Sequence, residues 1–531
     1  MSSIDKFCKF YYFLFLLYFV NFNEAYRILV ISPFISKSHN SMLESVAKAL
    51  AIKGHQVDVI SHYKLENPPK NYKTIINLDG SMPKNVNTLK FDTVDFYRSV
   101  DLVPIVVSDN GNNFCDLMAL EEMQKLIQNP PNDPPYDLVI TEALAANCYI
   151  GFGHVLKVPV ILVSALIEFP WFNEILGNPM SNAYAINWET KNFRVKTFWE
   201  RVKNHFWAHY HNYRFFKYSE AYQTAAMRKY LDPDIPSIRE IEKKASLLLV
   251  NAHYSVYGVR PFVPSIVQIG GLQIELNDAI MTSELKTWMD ESVHGVVFFT
   301  LGSMVLIEEF PKDVIAAVYA SFAKLAPIRV LVKIVHREKL PPGLPKNVLT
   351  MPWIPQVPVL RHNNTKVFMT HGGLNSVHEA LYYGVPMIGF PLFGDQPLNI
   401  RLLREKNVVY EMDYKEINEK SLDGALKAVL YDPKYRDATK RVSHLFRDRP
   451  MSPTETTVFW VEYIIRNGAN SLRSPSMDMP WWKAELVDVY LFFFTSLILI
   501  VASTLFISLK IICLLKKIFN CNSFKKHRKD D

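Results

Sequence analysis

The chain alternates short runs of β-branched apolar residues with longer segments of helical periodicity, and it does so twice along its length. Residues 27–32 read RILVIS, residues 40–53 carry apolar side chains at helical spacing, and residues 57–61 read VDVIS. A strand, a helix and a second strand in this order form a β-α-β unit, which predicts a parallel sheet. Further strands are predicted at residues 136–141, 158–164, 296–303, 330–335 and 368–370, and a further helix at 311–325. The sequence therefore predicts an α/β protein with two halves and a ligand held in the cleft between them.

Two apolar segments near the ends of the chain predict a protein that enters the secretory route and is anchored in a membrane. Residues 10–20 form an apolar run behind two lysines, which is typical of a signal peptide cut near Ala25. An uncleaved anchor is less favoured because the run is shorter than the roughly 20 residues that a span requires. Residues 489–509 contain no charge, follow two tryptophans and precede a basic tail. This second segment therefore predicts a transmembrane helix with a cytoplasmic tail.

The net charge of +7 is concentrated in that tail. Residues 510–531 contribute +5 and residues 1–25 are neutral, so the body between them carries only +2. Such a body lacks the basic surface that a nucleic-acid partner requires. The terminal KKHRKDD resembles a dilysine retrieval signal, although a simple positive-inside stop would also explain it. We therefore expect a single-pass type I protein of the endoplasmic reticulum membrane with a lumenal body.

The lumenal body contains few cysteines. Only Cys115 and Cys148 lie in it, so at most one disulfide can form there. Asn363 begins an Asn-Asn-Thr triplet, which is the one sequon for N-glycosylation. The sequence therefore predicts a glycoprotein that relies on its hydrophobic core for stability.

Residues 171–218 are unusually rich in aromatic side chains. Phe198, Val202, Phe206 and Tyr210 recur at every fourth position, which predicts an amphipathic helix. For any single aromatic residue, ordinary core packing is the favoured interpretation. As a group, these residues suggest an apolar acceptor pocket or a membrane-facing patch.

The densest run of functional residue types begins PWIPQ and continues through FMTHGGLNSVHEALYYGVPMIGFPLFGDQPLN. Gly372 and Gly373 allow the backbone to come close to a ligand, and Asn375 and Ser376 stand at the start of a helix. A helix N-terminus after a glycine turn offers free N–H groups and a positive dipole end to a phosphate. His371 is placed to donate to the same anion.

Neighbouring residues in this segment suit the other parts of a nucleotide sugar. Glu379 follows Asn375 by four residues on the same helix face, where a carboxylate can accept from the hydroxyls of a ribose. Trp353 offers a flat surface for a nucleobase. Asp395 and Gln396 offer acceptors and donors for a polyol.

In this combination and order, the segment resembles the signature of the UDP-glycosyltransferases, in their membrane-anchored animal branch. The resemblance extends from the signal peptide through VVFFTLGS and RDRP to the terminal span. It implies a GT-B fold, in which two Rossmann-like domains face each other across a cleft. The implied domains are a signal peptide at 1–25, an acceptor-binding domain at 26–280, a UDP-sugar-binding domain at 281–470, a juxtamembrane segment at 471–488, a transmembrane helix at 489–509 and a tail at 510–531.

The resemblance also assigns residues to the donor. It implies that uracil is held by Trp353 and Gln356, the ribose by Glu379, the diphosphate by Ser303, His371, Asn375 and Ser376 beside the turn at Gly373, and the sugar by Asp395 and Gln396. No metal and no cofactor beyond the UDP-sugar co-substrate are expected. The expected partners are the UDP-sugar, a small lipophilic acceptor and the membrane, with a homo-oligomer as an alternative to a monomer.

His39, in SKSH, lies where the family has its catalytic base. It follows the first strand and precedes a helix, which places it at the carboxyl edge of the sheet, and the helix dipole is expected to lower its pKa. The family usually orients this histidine with an aspartate, whereas this chain has Glu142 at the matching position and Asn147 further on. Either residue could support His39.

The implied reaction is direct displacement with inversion, in which His39 takes the proton of the acceptor hydroxyl. UDP-glucose is favoured over UDP-glucuronic acid as the donor because SKSH and YDLVITEAL resemble the insect members of the family. A lipophilic acceptor suggests a role in detoxification. A non-catalytic UDP-sugar-binding protein is the main alternative. A dinucleotide oxidoreductase is disfavoured because no G-x-G-x-x-G follows the first strand.

Asp232 and Asp234 resemble a metal-binding pair but lie in a proline turn, so a structural role is expected.

Overall fold

A computed structural model describes residues 25–186 and 195–527, with the side chains of residues 520–527 left out. The chain forms two compact units, residues 1–473 and 474–531. The predicted signal sequence up to residue 24, the aromatic residues Trp188 and Phe193 and the last four residues of the tail lie outside the described residues.

The first unit contains two fully parallel sheets. The first sheet has seven strands in the order β3-β2-β1-β4-β5-β6-β7. Its strands are β1 Arg27–Ser32, β2 Gln56–Ser61, β3 Tyr72–Asn77, β4 Leu138–Glu142, β5 Val160–Ser164, β6 Ala245–Val250 and β7 Ile266–Gln268. Ile28 of β1 is in register with Val57 on one side and with Leu138 on the other.

The second sheet has six strands in the order β10-β9-β8-β11-β12-β13. Its strands are β8 Val296–Thr300, β9 Arg329–Lys333, β10 Val348–Met351, β11 Thr365–Thr370, β12 Met387–Gly389 and β13 Val409–Glu411. In both sheets the first strand lies inside the sheet and the order reverses beside it, which creates a ligand-binding crevice at the carboxyl ends of the strands.

Helices connect the strands of both sheets. In chain order they are α1 Lys37–Lys53, α2 Phe91–Ser99, α3 Leu102–Val107, α4 Asn113–Cys115, α5 Glu121–Gln128, α6 Gly151–Leu156, α7 Pro170–Leu176, α8 Phe198–Tyr230, α9 Ile238–Glu242, α10 Tyr254–Tyr257, α11 Leu272–Glu275, α12 Ser283–Asp290, α13 Lys312–Lys324, α14 Gln356–Arg361, α15 Leu374–Tyr383, α16 Gln396–Arg404, α17 Glu419–Tyr431, α18 Pro433–Arg447 and α19 Pro453–Asn467. Short 3₁₀ turns occupy Asp116–Ala119, Asn147–Ile150, Ile307–Glu309, Arg337–Lys339 and Tyr414–Glu416, and a π turn occupies Ser108–Asn112.

The first β-α-β unit shows why the local sequence folds in this way. β1 is buried because covering helices shield its apolar run, as expected for a strand in a parallel sheet. α1 ends at Gly54, which adopts the left-handed conformation (φ 116°) and donates back to carbonyls of the last turn. The predicted two-sheet α/β fold is confirmed.

Two segments cross from one sheet to the other. Val461 and Ile464 of α19 pack in one core cluster with Ile28 and Leu138 of the first sheet. In the opposite direction, Leu89, Phe91 and Val94 pack into the core of the second sheet. The domain boundaries at residues 280 and 470 stay a prediction, since each half of the chain contributes to the core of the other.

The aromatic-rich segment divides into buried and exposed residues. Trp171 and Phe215 are fully buried in the core, with their rings stacked at 4.4 Å. The predicted amphipathic helix is part of α8, which has 33 residues, but Phe198 and Phe206 on it are more than half exposed. None of the described residues that the sequence analysis grouped here lines the large cleft described below. Other residues therefore form the apolar wall of that cleft.

Two further expectations concern the cysteines and the C-terminal segment. Cys115 and Cys148 form a disulfide between α4 and the turn that follows β4. In the second unit, α20 Trp481–Ala484 precedes α21 Val487–His527, and residues Val487–Phe519 are long and apolar enough to cross a membrane. The predicted span at 489–509 lies inside this helix, which is consistent with membrane anchoring.

Candidate active site

One cleft of about 680 Å³ lies between the carboxyl ends of the two sheets. The structure brings eleven of the twelve predicted site residues together along its walls. They are His39, Ser303, Trp353, Gln356, His371, Gly373, Asn375, Ser376, Glu379, Asp395 and Gln396. The twelfth, Glu142, ends β4 and contacts His39.

His39 lies in the first turn of α1, with its ring stacked on Phe34 at 5.4 Å. Its Nδ1 is hydrogen-bonded to Oε1 of Glu142, a side chain that is only 1% exposed. Burial acts to lower the pKa of His39, but the charge of Glu142 and the hydrogen bond to it outweigh burial, so the pKa is raised. The expectation that the helix dipole lowers this pKa is therefore wrong, because a buried carboxylate in direct contact outweighs partial charges at a helix end.

The structure distinguishes between the two candidate supports of His39. Asn147 donates its side-chain N–H to Oε1 of Glu242 at 2.5 Å, so its amide is engaged elsewhere. Glu142 contacts the imidazole directly. Because Nδ1 of His39 is bonded to Glu142, Nε2 is the ring nitrogen that can accept a proton from a substrate. A general base oriented by a carboxylate has this arrangement.

The glycine turn after β11 holds the ring of His371. A Cβ atom on Gly373 would lie 2.6 Å from Nε2 of His371, and one on Gly302 would lie 2.6 Å from its Cε1. Gly372 has a φ of +83°, and its own Cβ would meet the Ile400 side chain at 2.5 Å. Gly302 and Gly373 thus leave room for the histidine ring, and Gly372 leaves room for Ile400 in a backbone conformation that favours glycine. Burial, together with the charge of Lys333, lowers the pKa of His371 to about 4, so its ring is neutral and can donate one N–H.

α15 begins directly after this turn. Gly373 is its N-cap residue and has no side chain to accept from the N–H groups of the first turn. The side chain of Asn375 is engaged within the protein: it donates to the Ser38 carbonyl oxygen at 3.1 Å and to Oγ of Ser41 at 3.2 Å, and it accepts from Asn251 at 2.8 Å. The predicted contact between this side chain and a diphosphate stays a prediction, and a contact through the backbone N–H groups is compatible with these bonds.

Gln356, Ser376 and Glu379 form one hydrogen-bonded group. Nε2 of Gln356 donates to Oγ of Ser376 at 3.0 Å and to Oε2 of Glu379 at 2.6 Å. Burial raises the pKa of Glu379 to about 7. Trp353, about half exposed, lines the same cleft, and Nζ of Lys333 lies 5.3 Å from its ring centroid. The Glu379 carboxylate can accept hydrogen bonds from two hydroxyls, and the ring of Trp353 can stack against a flat ring.

Asp395 and Gln396 lie at the start of α16. Oε1 of Gln396 accepts from the backbone N–H groups of Leu392 and Phe393 at 3.0 and 3.2 Å, which leaves its NH₂ group for a ligand. Asp395 accepts from Nδ2 of Asn399 at 2.6 Å, and burial raises its pKa to about 6. The charge of Asp395 also acts on His39, so the two residues are close across the cleft.

Two residues were not found by sequence reasoning, one that lines the cleft and one that supports it. Lys333, which ends β9, lines the cleft. Asn251, after β6, holds the side chain of Asn375. A polar residue at the carboxyl end of a buried strand was the available signal in both cases. Asp232, by contrast, accepts from the backbone N–H of Asp234 and closes a turn, in agreement with a structural role.

Two parallel α/β sheets that face a shared cleft, with a glycine turn opening a helix on one wall, define a glycosyltransferase of the GT-B class. Solved structures agree with this fold. The plant UGT89C1 of Arabidopsis thaliana aligns with a TM-score of 0.56 at 16% identity over 83% of this chain and all of its own, and the spinosyn forosaminyltransferase SpnP aligns with a TM-score of 0.54 over 84% of this chain and all of its own, also at 16% identity.

The family is shown by the sequence as a whole. Residues 27–527 match the model of the UDP-glucoronosyl and UDP-glucosyl transferase family, and the chain belongs to that family. It is 33% identical to UDP-glycosyltransferase UGT5 of Dactylopius coccus over 98% of this chain and 99% of that protein. It is 34% identical to human UDP-glucuronosyltransferase 2A3 over 63% of this chain and 60% of that protein. The protein is therefore an enzyme that transfers a hexosyl group from a UDP-sugar.

Proposed function

We propose that this enzyme transfers glucose from UDP-glucose to a hydroxyl group of a small lipophilic acceptor, with inversion at the anomeric carbon. The observation that carries the proposal is the His39–Glu142 pair, whose histidine lines the same cleft as the glycine turn and α15. One wall supplies a carboxylate-supported base, and the other supplies N–H groups for a leaving diphosphate.

In the proposed step, Nε2 of His39 removes the proton of the acceptor hydroxyl while its oxygen attacks the anomeric carbon. The bond between that carbon and the UDP oxygen breaks, and UDP retains the bonding electrons. Glu142 stabilises the imidazolium that forms. The N–H groups at the start of α15 and the neutral ring of His371 stabilise the departing diphosphate, so the step is proposed to need no metal.

The acceptor class follows from the first-domain wall of the cleft. Apolar side chains form part of this wall, namely Phe34, Leu102, Ile105, Val106, Leu144 and Phe169. Such a wall favours hydrophobic acceptors that present a single hydroxyl, because apolar surface is buried on binding. This preference supports a role in detoxification of lipophilic compounds.

The choice of glucose follows from the charges that line the cleft. Its acidic residues are Glu44, Asp109, Glu379 and Asp395, and its lysines are Lys37 and Lys333. Glucuronic acid carries a carboxylate that would lie near Asp395 if that residue contacts the sugar, and like charges repel at low dielectric. UDP-glucuronic acid remains the alternative donor, since several relatives are named UDP-glucuronosyltransferases.

The proposed location is the endoplasmic reticulum membrane, with the body in the lumen and the apolar helix α21 as a single type I span. Asn363 is exposed, so its sequon is accessible for glycosylation in that compartment. Sensitivity of the apparent mass to endoglycosidase, and protection of the body from protease in sealed microsomes, would support this topology.

The test uses the full-length protein in microsomes with radiolabelled UDP-glucose or UDP-glucuronic acid, a mixed pool of phenols and steroids, and excess EDTA. We expect glucosides to form under these conditions. His39→Ala should reduce turnover by about 10²- to 10⁴-fold while leaving UDP binding intact. Unchanged turnover in His39→Ala would exclude the proposed base. UDP binding without turnover in the unaltered protein would favour a non-catalytic carrier.

A further inference from the structure

One segment of the first domain completes the donor side of the cleft. This crossing segment, residues 85–99, follows β3 and includes α2, yet its apolar side chains belong to the core of the second sheet. Phe91 stacks on Phe310 with ring centroids 4.1 Å apart, and Val94 is fully buried. Because these side chains are buried in the second domain, the crossing segment is fixed to that domain.

The far end of the crossing segment is held by ion pairs. Arg98 donates to both carboxylate oxygens of Asp413, at 3.1 and 2.7 Å. Asp95 accepts from Tyr414 and lies 2.7 Å from the Lys415 ammonium. Partly exposed ion pairs of this kind contribute little stability individually, but the bidentate geometry fixes the orientation of α2.

The near end of the crossing segment pairs with the loop after β8. The backbone N–H of Asn87 donates to the carbonyl oxygen of Ser303 at 2.8 Å, and that of Leu89 donates to Met304 at 2.9 Å. Leu306 donates back to Leu89 at 3.2 Å. The loop that contains Ser303 is therefore held by strand-like pairing with a piece of the other domain.

The side chain of Asn87 reaches a buried ammonium group. Nζ of Lys333 lies 2.6 Å from Oδ1 of Asn87 and 2.8 Å from the carbonyl oxygen of Gly302. The lysine is 6% exposed and lines the cleft. An ammonium has three N–H donors, so these two bonds leave one for an oxygen in the cleft.

None of the residues predicted to bind the diphosphate supplies a full positive charge, and a cation would add to the stabilisation by the N–H groups of α15. His371 is neutral, and a helix N-terminus supplies only about half a charge. Lys37 and Lys333 are the lysines that line the cleft, and the Nζ of each lies near an aromatic ring, 4.9 Å from the centroid of Tyr63 and 5.3 Å from that of Trp353. Lys333 lies beside Gly302, on the loop of Ser303, and is the cation that the geometry places at the diphosphate.

We propose that Lys333 donates a hydrogen bond to a diphosphate oxygen of the donor, and that Asn87 is the positioning residue that aims it there from the other domain. This inference rests on the proposed use of a UDP-sugar and adds one binding and one positioning residue to that site. Burial lowers the pKa of Lys333 to about 8, so the ammonium is still the main form at neutral pH and a bound anion would stabilise it further.

The conformation of Asn87 permits a clean test. Its φ of 56° is left-handed, so Asn87→Gly removes the amide without straining the backbone, and the backbone pairing with Ser303 persists. Asn407 is the matched control, because it is an exposed asparagine with a φ of 58° and does not line the cleft. Asn87→Asp keeps an acceptor oxygen at the same place and tolerates the same backbone conformation.

UDP binding is measured by calorimetry on the full-length protein in detergent, alongside donor and acceptor KM values and thermal unfolding. We expect Asn87→Gly to weaken UDP binding about tenfold and Lys333→Gln about a hundredfold, with acceptor KM unchanged. Asn87→Asp should bind UDP within about twofold of the unaltered protein, and Asn407→Gly should match it. Unfolding temperatures should agree between Asn87→Gly and Asn407→Gly.

Two results would overturn the inference while leaving the proposed function in place. These are UDP binding by Lys333→Gln at full strength, or equal UDP binding by Asn87→Gly and Asn407→Gly. Failure of the unaltered protein to bind UDP would be a different result, because it would exclude the proposed function and this inference together.

Discussion

Asn375, in the first turn of α15, donates its side-chain N–H to the carbonyl oxygen of Ser38 at 3.1 Å, and Ser38 directly precedes His39 in the chain. One hydrogen bond thus joins the helix that is proposed to bind the diphosphate to the first turn of α1, which carries the proposed base. Because the two residues are 337 positions apart, this contact sets the spacing between the two walls of the cleft.

We expect Asn375→Ala to lower kcat by about 10- to 100-fold with little change in UDP affinity, because a small displacement of reacting groups is costly. Turnover and UDP calorimetry on the same preparation check this. If UDP affinity falls in step with kcat, the side chain binds the diphosphate directly, as the sequence analysis predicted, and the interdomain role is wrong.

Glu142→Gln should shift the pH dependence of turnover. The carboxylate raises the pKa of His39, and a base must be deprotonated to act, so activity in the unaltered enzyme should rise through a pKa above 6.5. Removing the charge leaves burial, which lowers the pKa, opposed only by the more modest effect of Asp395, so the acidic limb should move to lower pH. Maximal kcat should fall by about 10²- to 10⁴-fold, since the imidazolium loses its partner.

Profiles of kcat/KM between pH 5 and 9 measure both effects. Glu142→Asp serves as the comparison, because it keeps the charge with a shorter side chain. An acidic limb that stays in place in Glu142→Gln would show that another group controls it.

UDP binding should depend on the ionisation of Glu379. Burial raises its pKa to about 7, so the free enzyme is partly protonated at neutral pH, whereas hydrogen bonds from ribose hydroxyls require the carboxylate. Affinity should therefore rise about tenfold between pH 6 and pH 8, with release of a proton on binding.

Calorimetry in buffers of different ionisation enthalpy would detect that proton. Glu379→Gln should bind UDP more weakly at pH 8 and should lose most of the dependence between pH 6 and 8. The terminal phosphate of UDP also titrates between pH 6 and 8. The pH dependence of UDP affinity that persists in Glu379→Gln therefore measures the contribution of that phosphate. Identical slopes in the two proteins would contradict the assignment.

Gly373→Ala should disturb the cleft through His371. The added Cβ would lie 2.6 Å from Nε2 of that ring, and the φ of Gly373, −59°, is ordinary, so the effect is steric rather than conformational. Overpacking of this kind costs about 1–3 kcal/mol. We expect a lower unfolding temperature and at least tenfold weaker UDP binding.

Gly424→Ala is the control, because nothing lies within 4 Å of its Cβ position in the exposed face of α17. That change should stabilise the protein by about 0.5–1 kcal/mol and leave UDP binding unchanged. Equal UDP binding by both variants would show that the ring of His371 does not contribute to the site.

Much of the site was predictable because its parts are local. The segment from Thr365 to Gln396 forms a strand, turn, helix, strand and turn in an order that its glycines and apolar runs indicate, whereas the short helix α14 before it, Gln356–Arg361, was not predicted. The candidate membrane span was predictable for the same reason, since it is defined by length and composition. The role of the aromatic-rich segment was not predictable, because periodicity predicts a helix but not which surface covers it.

The amino-acid sequence alone determined the parallel α/β architecture, the glycine turn before α15 and the candidate span, because strand–helix alternation, a turn and a long apolar run are each visible as a pattern in contiguous residues. Tertiary structure decided the pairing of His39 with Glu142, the bond from Asn375 to Ser38 and the contact of Lys333 with Asn87, which join residues 103, 337 and 246 positions apart. It also decided the raised pKa of His39. Such contacts depend on how two sheets approach each other, and a pKa depends on the charges and the loss of water that this approach creates.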